Sequence, residues 1–276
     1  MKLIKDIFGK RALGSKKGDY GRLLVVGGSR IYTGAPALSA LAAINSGCDI
    51  AVVAAPHRAA DIVASFSPAL ITVPLDGDYL RPDHVGSLLR YSERSDALVI
   101  GPGLTRETVV LRAIADFMNR VEIPCVIDAD AIYAYSEYGK KMNALSCIVT
   151  AHRGEFLALT GVDLSSKKDI VKEVEAAAKK FGAVILLKGH LDIISDGKRT
   201  VVNKTGNPYM TKGGTGDVLA GICGALLGRG VSAFDAAVAG AYISGAAGDA
   251  AARIHGESLL ATDVIAEIAS IVNVSQ

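Results

Sequence analysis

Short apolar runs rich in β-branched residues alternate with segments of helical periodicity along the whole chain. Seven of these runs predict strands, at residues 23–26, 50–54, 70–73, 98–100, 126–127, 148–149 and 184–187. Most are continuously apolar, which is typical of strands covered on both faces. The segments between them predict helices, including 35–45, 82–93, 107–119 and 167–181. This alternation predicts a mostly parallel central sheet between two helical layers, a three-layer α/β/α sandwich.

The pattern changes towards the C-terminus. Residues 191–195 and 200–202 form two short β runs joined by Asp196-Gly197, a dipeptide that favours a hairpin turn. From Thr215 onward the periodicity is helical to the end of the chain. No Pro/Ser-rich linker, block of charge or repeat divides the sequence. We therefore expect one domain spanning residues 1–276.

Composition narrows the classes of function. Of the 276 residues half are hydrophobic and 21% are charged, and the net charge is +2. Such a chain can bury a core, and its near-balance of charge argues against a protein that coats nucleic acid or an anionic membrane. No segment has the length and apolarity of a signal peptide or a membrane span, so a cytoplasmic protein is expected. The cysteines are widely spaced and form no C-x-x-C pair, which favours buried reduced thiols at Cys48, Cys125, Cys147 and Cys223.

Candidate chemistry lies at the ends of the predicted strands. In an open α/β sheet, ligands bind at the carboxyl ends of the strands. Five strands end in polar or glycine-rich segments: Gly27-Gly28-Ser29, Gly101-Pro102-Gly103, Asp128-Ala129-Asp130, His152-Arg153-Gly154-Glu155 and Lys188-Gly189-His190. Because these ends lie along one edge of a parallel sheet, we expect them to form one site.

The strongest single motif is Gly213-Gly214-Thr215-Gly216-Asp217, which precedes an apolar helix. Glycines allow backbone N–H groups to converge at a helix N-terminus, where the helix dipole favours an anion. The same dipole stabilises the carboxylate of Asp217, so we expect it to remain ionised and to accept a proton from a substrate hydroxyl. An anion hole beside a fixed carboxylate is suited to phosphoryl transfer. The motif is not a Walker A loop, because no G-x-x-x-x-G-K-[ST] occurs.

Each of these features also has a purely structural explanation. The glycine cluster can be a turn, with Asp217 only an acidic residue in a first helical turn. Gly27-Gly28-Ser29 lacks the third glycine of a dinucleotide fingerprint. His152 can cap a helix with an acidic partner three residues on, and Asp128 or Asp130 can cap the segment that follows.

Taken in order, the motifs resemble the NAD(P)H-hydrate dehydratase family of the ribokinase-like superfamily. The G-G-T-G-D motif is typical of the superfamily, whereas Tyr32-Thr33-Gly34-Ala35 and His152-Arg153-Gly154-Glu155 are similar to the dehydratases within it. The resemblance covers nearly the whole chain, with further matches at Lys17-Gly18-Asp19-Tyr20-Gly21, Gly101-Pro102-Gly103-Leu104 and Thr205-Gly206-Asn207-Pro208.

The resemblance implies repair of nicotinamide cofactors whose dihydropyridine ring has added water. The hydroxyl of NADH or NADPH hydrate would be phosphorylated by ADP or ATP and then eliminated as phosphate, with Mg²⁺ bridging the phosphates. Asp217 would be the base, and Gly214, Thr215 and Gly216 would form the anion hole. The hydrate would be bound by Asp217 with Ala35, Gly103 and His152. The adenine nucleotide would be held by Lys188, Gly189, His190, Leu191, Asp192 and Gly216.

Some features depart from the family pattern or go beyond it. Many members have Thr-Pro where this chain has Thr150-Ala151, a difference expected to loosen the loop of His152 because proline fixes φ. Many relatives begin with an epimerase domain, whereas residues 1–22 alone precede the first predicted strand here, so we expect a separate epimerase. The resemblance also implies a homotetramer, and the small residues of segment 236–252 allow close helix approach in the core or at a subunit contact.

Two other functions would share some of these features. A ribokinase-like small-molecule kinase would share Asp217 and the anion hole. Such sugar kinases commonly carry a β-ribbon lid near the N-terminus, and no alternating strand pair lies between residues 35 and 70. A nucleotide-binding regulator without catalysis would gain nothing from a carboxylate that faces phosphate charge.

Overall fold

The computed structural model describes residues 2–138 and 146–273, which build one nine-stranded sheet. Its strands are β1 (Arg22–Val26), β2 (Ile50–Pro56), β3 (Ile71–Leu75), β4 (Ala97–Ile100), β5 (Cys125–Asp128), β6 (Cys147–Ala151), β7 (Val184–Leu187), β8 (Asp192–Ser195) and β9 (Thr200–Asn203). Their order in the sheet is β3-β2-β1-β4-β5-β6-β7-β8-β9. The first seven strands are parallel, and β8 and β9 add an antiparallel hairpin.

Helices cover both faces of the sheet. They are α1 (Lys2–Ile7), α2 (Ala35–Asn45), α3 (His57–Phe66), α4 (Val85–Ser92), α5 (Thr108–Met118), α6 (Asp130–Tyr138), α7 (Arg153–Thr160), α8 (Ile170–Phe181), α9 (Thr215–Gly228), α10 (Ala233–His255) and α11 (Ala261–Val272). Helices α2, α3 and α9 to α11 enclose one hydrophobic core, and α4 to α8 enclose the other. The predicted three-layer α/β/α sandwich is confirmed.

The central strands, β1, β2 and β4 to β7, are almost continuously apolar because each contributes to both cores. In β1, Leu23 and Val25 belong to one core while Leu24 and Val26 belong to the other. Side chains of a strand point alternately to its two faces, so a strand buried on both faces has to be apolar at every position.

Close helix packing fixes the position of α9, whose first turn carries the glycine motif. A Cβ at Gly221 of α9 would lie 2.1 Å from the backbone oxygen of Ser39 in α2. A Cβ at Gly240 of α10 would lie 2.5 Å from the sulfur of Cys223 in α9. The small residues of α10 are mostly buried, and the helix packs on α9 and α11. These small residues therefore allow α10 to pack closely in the hydrophobic core.

Predicted and observed elements differ mainly at their ends. The helix predicted at 82–93 begins as a single 3₁₀ turn, Pro82–His84, and continues as α4. The strand predicted at 70–73 begins one residue later and ends two residues later, and it contains Pro74. Proline is tolerated there because β3 is the edge strand of the sheet. Residues 35–70 contribute α2, β2 and α3 and no β-ribbon lid.

Candidate active site

The strand order reverses between β1 and β4, and a cavity of about 550 Å³ lies at this switch point. We call it the switch-point cavity. It is lined by Tyr32 from the loop after β1, by Ala35 at the start of α2, by Gly103 from the loop after β4, and by Arg106 and Asp217. The two loops touch directly, because the N–H of Gly28 donates to the carbonyl of Pro102 at 2.7 Å. The structure therefore places Ala35, Gly103 and Asp217, three of the four residues predicted to bind the hydrate, on one cavity.

A second cavity of about 630 Å³ lies beside the β8–β9 hairpin, and we call it the hairpin cavity. It is lined by residues that follow β6 and β7, by the loop 205–212 and by α9 and α10. Lys188, Gly189, His190, Asp192 and Gly216 are among them. Leu191, which was predicted with this group, is exposed on the turn before β8 and is not among the lining residues.

The glycine motif lies between the two cavities at the N-terminus of α9. Gly214 precedes the helix with φ +98°, a conformation that favours glycine. The hydroxyl of Thr215 donates to the carbonyls of Met210 at 2.9 Å and Lys212 at 3.1 Å, which ties the preceding loop to the helix. Thr215 and Gly216 line the hairpin cavity, whereas Asp217 lines the switch-point cavity.

The first N–H groups of α9 are available to a ligand. The N–H of Val218 is the first to be used within the helix, donating to the carbonyl of Gly214 at 3.0 Å. Among the described residues, no acceptor takes the backbone N–H of Thr215, Gly216 or Asp217. Unsatisfied N–H groups at a helix N-terminus favour an anion, so an anion site at this turn stays a prediction of the motif.

Asp217 differs from the sequence prediction in its charge state. Burial, followed by the nearby carboxylate of Asp128, raises the pKa of Asp217 to about 7, although Lys188 opposes the shift. The expectation that the helix dipole keeps this carboxylate fully ionised is wrong, because desolvation outweighs the dipole here. An acid that titrates near neutrality is well matched to accept a proton at physiological pH.

Lys188 is held beside Asp217 by a network of carboxylates. Its ammonium lies 2.9 Å from Asp128 Oδ1 and 3.6 Å from Glu155 Oε2. The hydroxyl of Thr150 donates to the same Asp128 oxygen at 2.7 Å. Burial lowers the pKa of Lys188, but Asp128 and Glu155 raise it by more, so the pKa is above its ordinary value. Lys188 is therefore a fixed positive charge at the boundary of the two cavities.

His152 has the helix-capping geometry that the sequence left open. Its Nδ1 accepts hydrogen bonds from the N–H groups of Gly154 at 3.0 Å and Glu155 at 3.1 Å. The carboxylate of Glu155 in return accepts from the N–H of His152 at 2.7 Å, which completes a capping box on α7. The ring lines the hairpin cavity, so it is separated from Ala35 and Gly103, with which it was grouped.

Asp128, at the end of β5, and Asp130, at the start of α6, have different partners, and neither side chain bonds to α6 among the described residues. Asp128 is buried and holds Lys188. Asp130 accepts from the N–H of Thr105 at 2.8 Å and from Nε of Arg106 at 2.9 Å. The sequence alone did not single out Arg106. It follows the Gly-Pro-Gly-Leu segment but belongs to no motif, so nothing distinguishes it from an ordinary surface arginine.

Within residues 2–138 and 146–273, no three His, Cys, Asp or Glu side chains are grouped so as to hold a metal ion by themselves. In the same residues, no helix combines the length and apolarity needed to cross a membrane. The four cysteines are buried in the structure.

Comparison with known proteins points to one family. The family Carb_kinase, described as NAD(P)H-hydrate dehydratase, matches residues 23–270. The chain is 43% identical over 269 residues to a bifunctional NAD(P)H-hydrate repair enzyme from Pyrobaculum aerophilum. The match covers 95% of this chain but 52% of that relative, so the chain spans about half the length of the relative. It is 38% identical to an ADP-dependent (S)-NAD(P)H-hydrate dehydratase from Cenarchaeum symbiosum, covering 95% of this chain and 91% of the relative.

A solved structure agrees with these relatives. An ADP/ATP-dependent NAD(P)H-hydrate dehydratase from Bacillus subtilis, co-crystallized with ATP/Mg²⁺, superposes with a TM-score of 0.81. The two chains are 27% identical, and the match covers 98% of this chain and 94% of that one. With these matches and the motifs that they span, the chain belongs to the NAD(P)H-hydrate dehydratase family and has the ribokinase-like fold.

Proposed function

We propose that this protein removes water from the (S)-hydrates of NADH and NADPH, with ADP as the phosphoryl donor. The observation that carries the proposal is the placement of Asp217, a carboxyl with a pKa of about 7, at the switch-point cavity. The same helix turn presents unsatisfied N–H groups towards the hairpin cavity. One short segment thus supplies a base to one cavity and an anion site to the other.

The proposed reaction has two stages, because hydroxide is a poor leaving group. In the first, Asp217 takes the proton of the hydrate hydroxyl, the oxygen bonds to the β-phosphorus of ADP, and AMP leaves. In the second, the C–O bond breaks with release of phosphate, a proton leaves the neighbouring carbon, and the ring double bond returns. Hydrate and ADP give NAD(P)H, AMP and phosphate.

The residues at the boundary of the two cavities account for the transfer. The N–H groups of Thr215 and Gly216 would bind the phosphoryl group in transit, with Gly214 providing the backbone turn that presents them. Lys188 would offset the growing negative charge, since its two carboxylate partners hold it in place before substrate arrives.

Binding is divided between the cavities. We assign the hydrate to Ala35, Gly103 and Asp217 in the switch-point cavity. We assign the adenine nucleotide to the hairpin cavity, with Lys188, Gly189, His190, Asp192 and Gly216. Asp192 is fixed there by the N–H of Gly189 at 3.1 Å and by Asn203 at 3.0 Å. His152, which lines the hairpin cavity, would contact the hydrate only where the substrate reaches across the boundary.

The donor set fits Mg²⁺ held mainly by nucleotide phosphates. The described residues offer no cage of three ligands, and Asp128 and Glu155 are already paired with Lys188. Mg²⁺ usually keeps several waters and binds through one or two carboxylates plus substrate phosphates. When bound, it would neutralise phosphate charge during the transfer.

The remaining expectations concern the setting of the reaction. We propose action in the cytoplasm, where reduced cofactors and ADP occur, and assembly as a homotetramer. An epimerase is the class of enzyme that would convert the (R)-hydrate into the substrate.

The test supplies purified (S)-NADH hydrate with ADP and follows the return of reduced-nicotinamide absorbance. The proposal predicts one AMP and one phosphate for each NADH recovered. A non-transferable ADP analogue should support no repair, and repair in its presence would make the nucleotide an effector. Stable phosphorylation of a small alcohol in place of the hydrate would favour the kinase alternative.

A further inference from the structure

Arg106 is a charged residue at the mouth of the switch-point cavity that the proposed chemistry does not use. Its side chain is 55% exposed, yet it is fixed on two sides. Its Nε lies 2.9 Å from Asp130 Oδ1, and its guanidinium lies 3.7 Å from the centre of the Tyr133 ring. An arginine held by a carboxylate and an aromatic face loses little further side-chain entropy when it binds a ligand.

The backbone around Arg106 is strained. Thr105 has φ +77° and Ala129 has φ +48°, and they are the only non-glycine residues with positive φ in the part of the chain that the structure describes. Both residues line the switch-point cavity. Thr105 precedes Arg106 and donates its N–H to Asp130, and Ala129 precedes Asp130 in the chain. Such strain persists only where the surrounding contacts hold the backbone in place, and it is common at ligand-binding sites.

The terminal end of the Arg106 guanidinium is available to bind a ligand. Nε is committed to Asp130, while the two terminal nitrogens have no hydrogen-bond acceptor among the described residues. The other charged or titratable side chains that line this cavity are the carboxyl groups of Glu107, Asp130 and Asp217. Glu107 accepts a hydrogen bond from the hydroxyl of Thr105. Without Arg106, the charges at the mouth would therefore be negative.

The hydrate substrate has an anion that would reach this mouth. If the hydroxyl of the hydrate binds at Asp217, the ring would lie inside the cavity and the ribosyl phosphate would extend towards Arg106, which lines the same cavity. We propose that Arg106 binds the phosphate of the nicotinamide mononucleotide half and makes the site specific for phosphorylated hydrates. Arginine suits this contact because its planar fork matches phosphate oxygens. The inference rests on the proposed function and adds a specificity residue to it.

The test compares wild-type protein with Arg106→Gln on two substrates, the hydrate of reduced nicotinamide mononucleotide and that of the phosphate-free riboside. Wild-type kcat/KM should favour the mononucleotide by about 10- to 100-fold. In Arg106→Gln this preference should fall to near one, through KM for the hydrate, with kcat and KM for ADP little changed. Arg120→Gln is the matched control, since Arg120 also pairs with a carboxylate, Asp116, but lies just beyond the end of α5 and lines neither cavity.

A binding measurement separates this inference from the proposed function. Fluorescence titration with NADH, the expected product, should show about tenfold weaker binding to Arg106→Gln than to wild type, even if the chain repairs no hydrate. Arg106→Lys, which keeps the charge but loses the fork and the stacking, should lie between them and also serves if the glutamine variant fails to fold. Equal preference for the phosphorylated substrate in wild type and both variants would overturn the inference.

Discussion

Replacing Asp217 by asparagine is expected to abolish turnover and at the same time to stabilise the fold above pH 7. The amide preserves size and shape but cannot accept a proton. Loss of general-base action costs about 10²- to 10⁴-fold in kcat. The stabilisation follows from the raised pKa, because the folded chain disfavours the ionised carboxyl that the amide replaces.

The magnitude follows from the two titrations. Asp217 titrates at about 7 in the folded chain and near 3.9 in an unfolded one. Between these values the folded state binds more protons, so raising the pH through this window lowers the free energy of unfolding. The contribution reaches at most about 4 kcal/mol above pH 7, and partial exposure of the side chain reduces it. Asparagine removes this penalty.

The assay is denaturant unfolding of wild type and Asp217→Asn at pH 5 and at pH 8. The variant should be more stable than wild type at pH 8, and the difference should shrink at pH 5. Asp116→Asn, at an exposed position on α5, is the matched control and should show no such dependence. A variant that is less stable than wild type at pH 8, or one that keeps near-normal turnover, would refute the reasoning and return Asp217 to a structural role.

The remaining predictions concern the same site. Wild-type kcat/KM should rise about tenfold per pH unit below pH 7 and level off above it, because Asp217 must be ionised; a profile flat from pH 5 to 8 would contradict this. Lys188→Met should move that acidic limb to higher pH, since Lys188 lowers the pKa of Asp217, and an unmoved limb would argue against the pairing. Gly214→Ala should cost about 1–3 kcal/mol of stability and impair turnover, because its Cβ would lie 2.5 Å from Leu38; unfolding and steady-state assays on one preparation measure both.

The sequence predicts the framework of the site well because local patterns determine it. The helix predicted at 35–45 matches α2, and the strand predicted at 184–187 matches β7. Glycine at 214 and the acidic residue at 217 mark the start of α9 in the expected place. Helices α6 and α7 were not singled out, because each begins within a polar site motif that hides the start of its periodicity.

Long-range burial and charge are what the sequence does not predict. The helix dipole acting on Asp217 can be inferred from its position, but the desolvation and the Asp128 carboxylate that raise its pKa come from other elements. His152 lines the hairpin cavity together with residues from segments 188–192 and 205–219, a grouping that its local sequence does not show. The orientation of the Arg106 guanidinium likewise depends on its hydrogen bond to Asp130, which lies 24 residues away in sequence.

The central claim is that the hydrate hydroxyl is phosphorylated before it leaves, and an oxygen label tests this most directly. NADH hydrated in ¹⁸O-water carries the label in its hydroxyl group. With ADP and wild-type protein, cleavage of the C–O bond after phosphorylation transfers that oxygen to the released phosphate. The account predicts phosphate carrying one ¹⁸O atom for each NADH recovered. Unlabelled phosphate, with the ¹⁸O released as water, would show that the nucleotide does not phosphorylate the hydrate and would contradict the account.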